Sequence, residues 1–62
     1  HYPAYTAGGN SITMALSSLG IDSSMAHRKQ LAAANGIGGY AGTYTQNVTM
    51  LTLLKNGRLI AA

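Results

Sequence analysis

Apolar side chains recur along this chain at helical spacing, and each recurrence stops at a glycine. Ile12, Ala15, Leu16 and Leu19 fall at i, i+3, i+4 and i+7, behind Asn10 and Ser11, either of which can cap a helix. Gly20 ends that run, and Ile21 follows where a hydrophobic residue packs back on the last turn. A second helix is predicted to begin near Asp22-Ser23-Ser24 and to run through Met25 to Ala34, closed by Asn35-Gly36 with Ile37 just beyond. The third is the best marked. Thr43 and Gln46 have the capping-box spacing directly ahead of Val48-Thr49-Met50-Leu51-Thr52-Leu53-Leu54. It is predicted over about Tyr44 to Lys55, ending at Asn56-Gly57 and followed by Leu59-Ile60.

The fold class that follows is all-α: a three-helix domain with short, Gly-terminated helices. Ala, Leu and Met dominate the apolar segments and period-2 alternation is absent, which disfavours strands. Helices this short are marginal alone in water, so mutual packing must hold them. The expected core draws on Ile12, Leu16, Leu19, Ile21, Met25, Leu31, Ala32, Ile37, Val48, Leu51 and Leu54. Met50 and Leu53 lie off the Val48–Leu51–Leu54 stripe. They are expected to be partly exposed, as a wide contact face or as a seam for a homo-oligomer. Residues 1–9 hold the single proline, two tyrosines and a Gly-Gly pair without periodicity, and read as a linker from an upstream domain, with 10–62 as the folded unit. With no initiating Met and no signal pattern, the chain reads as a piece of a longer protein.

Composition narrows the chemistry. There is no cysteine, so neither a disulfide nor a thiolate metal site is available. Asp22 is the sole acidic side chain against Arg28, Lys29, Lys55 and Arg58, for a formal net charge of +3. Glycoside hydrolysis by paired carboxylates is therefore out of reach. Two histidines, one in the expected linker, make no base–nucleophile or metal constellation. Neither catalytic residues nor cofactor or metal ligands are expected. Gly36-Ile37-Gly38-Gly39 precedes a helix but lacks the Gly-Lys-Ser/Thr ending of a phosphate loop, and reads as a flexible connection. No run is long and apolar enough to span a bilayer.

Two groups of residues remain as candidates for binding. His27-Arg28-Lys29 is the one cationic cluster; it stands in the first half of its helix, against the helix dipole, and Arg28 offers forked hydrogen bonds to a carboxylate or phosphate. Tyr40, Tyr44, Thr45 and Asn47 gather at one loop–helix corner, a mixture of aromatic faces and neutral polar groups suited to sugar rings. Each has an ordinary structural alternative: a solvated helix face for the first, core filling and loop support for the second.

The run Ser11-Ile12, Leu16, Leu19-Gly20-Ile21-Asp22-Ser23-Ser24, Arg28-Lys29-Gln30-Leu31-Ala32, Asn35-Gly36-Ile37, Tyr40-Ala41-Gly42-Thr43, Gln46-Asn47, Leu51 and Leu53-Leu54 resembles a family of short C-terminal domains. These occur on bacteriophage endolysins and related bacterial autolysins, commonly behind an N-acetylmuramoyl-L-alanine amidase domain or another wall-cleaving domain. The likeness covers 10–59, and its most specific part is Tyr-x-Gly-Thr-x-x-Gln-Asn at 40–47. It implies a non-catalytic cell-wall-binding module that holds a separate lytic domain on peptidoglycan or attached polysaccharide of a Gram-positive host. The lysin would be made in the host cytoplasm and act at the wall. It also gives room for oligomers. Met25 and His27 stand where the family has an aromatic residue and an asparagine, so His27 implies a different wall polymer or a pH-dependent grip. A small helix-extended-helix nucleic-acid module has the same element order, but the start of the third helix carries no Lys or Arg to meet phosphates.

Overall fold

A computed structural model describes residues 1–62, with three helices and no strand: α1 (Ile12–Ser18), α2 (Met25–Ala34) and α3 (Tyr44–Lys55). The protein is all-α. Each helix opens on a hydroxyl cap: Ser11, Ser24 and Thr43 accept from the backbone N–H groups of Met14, His27 and Gln46, each at 3.2 Å. Thr43 and Gln46 complete the reciprocal capping box. Each helix also closes on the same pair of backbone bonds, in which the residue after the glycine reaches back five positions. Ile21 donates to Leu16 at 2.9 Å, Ile37 to Ala32 at 2.8 Å and Arg58 to Leu53 at 2.8 Å. This is the Schellman closure, and it needs a left-handed residue at the turn, as Gly36 shows with φ +78°.

Ten residues are buried, all apolar or aromatic: Ile12, Ala15, Leu16, Leu31, Ala32, Tyr40, Met50, Leu51, Leu54 and Leu59. The accessible surface of 3530 Å² is near the ~3,800 Å² expected of a folded chain of this mass. α1 and α3 pack directly on one another, whereas α2 shares no comparable helix–helix contact. What ties α2 down is the arrangement of its inward stripe. In α2 that stripe is Arg28, Leu31, Ala32 and Asn35; in α3 it is Asn47, Met50, Leu51 and Leu54. Both follow i, i+3, i+4, i+7, and both begin with a polar residue.

That register corrects two expectations. Val48 is half-buried and Met25 is 41% exposed, so neither belongs to the core. Met50 is fully buried, so it is not available as a seam between copies, and Leu53 is half-buried against the core. Leu51 and Leu54 are inward as expected, but Met50 takes the place expected of Val48, because the inward face of α3 begins at Asn47, which is bonded to the Tyr40 hydroxyl.

Residues 1–9 form no helix or strand, yet they lie against the folded unit. The Tyr2 N–H donates to Leu59 O at 2.9 Å and the Tyr5 N–H to Leu54 O at 3.0 Å, and both rings pack on the core. Lys55 Nζ donates to Gly9 O at 3.1 Å. At the other end, the Asn35 side chain brackets Ile60, donating to its carbonyl at 3.0 Å and accepting from its N–H at 2.8 Å. Leu59 is thereby held with no exposed surface. Both termini thus help to close the underside of a very small core.

Candidate functional site

Tyr40 is the joint between α2 and α3. Its hydroxyl accepts from Arg28 Nη1 at 2.9 Å and donates to Asn47 Oδ1. Arg28 Nε donates to Ser23 O at 3.0 Å, and Asn47 Nδ2 donates to Gly42 O at 3.2 Å. The guanidinium carbon stands 6.0 Å from the Tyr40 ring centroid, at the outer range of a cation–π contact. Three of the residues predicted to bind ligand are therefore brought together, but by hydrogen bonds to one another. With no buried side-chain polar atom left unpartnered, this network joins α2 to α3 beside the apolar core to which both helices contribute.

The loop between α2 and α3 is clamped from the α3 side. Gln46 Oε1 accepts from the N–H groups of Ala41 at 2.8 Å and Thr43 at 3.3 Å, while its Nε2 donates to Gly39 O at 3.1 Å. Gly42 has φ +74°, and a Cβ there would stand 2.9 Å from Met25 Cε and 3.9 Å from Arg28 Nη1. The left-handed backbone favours glycine where the loop passes the Arg28–Tyr40 contact, and a Cβ there would also push the flexible end of Met25 aside.

His27 stands apart from that joint. Its Nδ1 lies 2.6 Å from the carbonyl oxygen of Asp22, so Nδ1 carries the donating proton and Nε2 is left for other partners. Asp22 Oδ1 accepts from the Ser24 N–H at 2.9 Å. Hydrogen bonds from the backbone and then the side chain of Ser24, together with the nearby His27, hold the Asp22 carboxyl below its ordinary value of 3.8. This corner is a helix-start brace.

The other predicted residues face solvent. Tyr44 is 80% exposed at the first position of α3, and Thr45 is exposed beside it. Lys29 is exposed on α2 and forms one edge of an open groove of 590 Å³ lined also by Ala33, Gly36, Ile37, Gly38, Gly39 and Tyr40. The groove joins one residue from each predicted group, Lys29 and Tyr40, through a glycine segment read from sequence as a mere connection. The sequence carries only a partial signal for it: Gly36, Gly38 and Gly39 directly follow a helix that bears Lys29 one turn before Ala33. No three His, Cys, Asp or Glu side chains cluster as metal ligands, and no helix is long and apolar enough to cross a membrane.

With this geometry in view, one comparison bears on function. Over 38 residues, 61% of its length, the chain is 55% identical to the L-alanyl-D-glutamate peptidase of Listeria phage A118. The matched part is 14% of that peptidase's length. No family model and no solved structure matches the chain. The chain therefore shares sequence with a small part of a phage peptidase.

Proposed function

We propose that this chain is a non-catalytic cell-wall-binding module of a phage lysin, anchoring a separate peptidoglycan-cleaving domain to the wall of a Gram-positive host. The observation that carries the reading is the likeness to a phage enzyme named for cleaving a wall peptide, confined to 14% of that enzyme's length. A stretch that short is the size of an accessory module, and the 62-residue chain closes a core of its own between Ile12 and Leu59.

The chemistry of the side chains supports the same reading. The single acidic side chain is engaged in a helix-start turn, and the half-buried histidine is bonded to the backbone there. Groups able to hold a polar polymer are displayed instead: Tyr44 and Thr45 at the start of α3, and Lys29 on α2. Tethering raises the local concentration of a lytic domain near its bonds without any chemistry in the tether. Nucleic-acid binding is less well supported, because Arg28 is committed to Ser23 and Tyr40 and few free cations are left to meet phosphates.

Co-sedimentation of the chain with purified walls of several Gram-positive species tests the proposal. Retention on at least one wall type is expected, with Tyr44→Ala weakening it while the helical circular-dichroism signal is unchanged. Binding to duplex DNA at physiological salt in place of walls would transfer the assignment to the nucleic-acid reading.

A further inference from the structure

The groove beside α2 has features that neither the Tyr40 joint nor the display of Tyr44 explains. Lys29 stands at its edge, and Asp22, the sole acidic side chain, is not among its lining residues, so no side-chain carboxylate there competes for the ammonium group. Gly38 and Gly39 present only main-chain atoms to it, and their N–H groups donate to no protein acceptor. Ala33, Ile37 and Tyr40 supply the apolar part of its lining. A lysine, two glycines whose N–H groups have no protein acceptor and a small apolar surface thus line a space of 590 Å³, within the range of small-ligand sites.

We propose that this groove binds the carboxylate of a wall stem peptide bearing a D-glutamyl residue, with Lys29 and the Gly38 and Gly39 amides meeting the two carboxylate oxygens and Ala33 and Ile37 taking the adjoining alanyl methyl. The proposal rests on the wall-binding reading and names the ligand class and place of contact. A single ammonium and two N–H donors match the charge and the two oxygens of a carboxylate. A phosphodiester polymer is ordinarily met by several cations, and here Arg28 is turned to Ser23 and Tyr40. The absence of side chains at Gly38 and Gly39 leaves room for a peptide to approach the backbone.

The test is a titration of the ¹⁵N-labelled 62-residue chain, followed by amide chemical shifts, with N-acetyl-L-alanyl-D-glutamate, its neutral diamide and glycerol phosphate as probes. Saturable shifts at Gly38 and Gly39 with the dicarboxylate peptide are expected, and much smaller ones with the diamide. Lys29→Ala should weaken binding roughly tenfold, the size of one lost charge-assisted hydrogen bond. Gly38→Leu should abolish it by filling the groove. No atom lies within 4 Å of a Cβ at Gly38 and its φ is not in the left-handed range, so a side chain can start there without backbone strain, and an unchanged helical circular-dichroism signal checks that the variant is folded. The proposal is overturned if the Gly38 and Gly39 amides are silent, respond equally to the diamide, or respond to glycerol phosphate at lower concentration than to the peptide. Wall retention measured on the same preparation separates the two claims. Walls bound with silent glycine amides removes the groove alone, whereas no wall bound removes the anchoring role itself.

Discussion

The hydroxyl of Tyr40 receives a hydrogen bond from Arg28 and gives one to Asn47, so its removal strands two polar partners at once. Tyr40→Phe is expected to lower stability by about 1–3 kcal/mol, since unsatisfied groups cost more than a typical hydrogen bond returns. Combined with Asn47→Ala in a double-mutant cycle, the two losses should be smaller together than their sum, with a coupling of at least about 0.5 kcal/mol. Strict additivity in urea titrations would show that the joint does not act as a unit. Asp22 supplies a second residue-scale expectation. Its carboxyl is held below 3.8 in the folded chain, so its contribution is fully present above the unfolded value and is lost as pH falls through the folded one. Melting temperature should therefore be level from pH 7 to about 5 and decline below about 4. Asp22→Asn should flatten that acid limb, and an unchanged limb would place the acid sensitivity elsewhere.

At the scale of the elements, helix ends were far more legible than helix faces. Caps and glycine closures are local chemistry, written within four or five residues, and the predicted limits of α3 match the observed Tyr44–Lys55. The inward face is a tertiary property. Counting only apolar residues chose Val48, Leu51 and Leu54, whereas the structure buries Met50, Leu51 and Leu54 behind an inward Asn47. A polar residue on a core stripe is legible only when its partner is known, and Tyr40 lies across a loop from α2. The register yields a direct comparison. Met50→Ala should cost about 2–5 kcal/mol as a buried large-to-small change, while Val48→Ala, half-buried, should cost clearly less. The opposite order in thermal melts would restore the face read from the apolar pattern.

For the whole molecule, what sequence could not show was how the termini close the core. Residues 1–9 have no periodicity, yet Tyr2 and Tyr5 bond to the backbone at Leu59 and Leu54 and pack on the core. Such docking depends on partners more than forty residues away and leaves no local mark. The candidate site was legible in part for the same reason. Residue types suited to binding could be named, but only the fold separates Arg28 and Asn47, spent largely on holding α2 to α3, from Lys29, Tyr44 and Thr45, which remain free to meet a ligand.

In the proposed function the exposed set grips wall polymer and no group in the chain cleaves it. The measurement that tests this most directly is a binding isotherm of the purified chain on isolated Gram-positive walls, with soluble muropeptide release assayed in the same tubes. Saturable retention with no release above buffer is the predicted result. Release of fragments by the chain alone, or no retention on any wall tested, would contradict it.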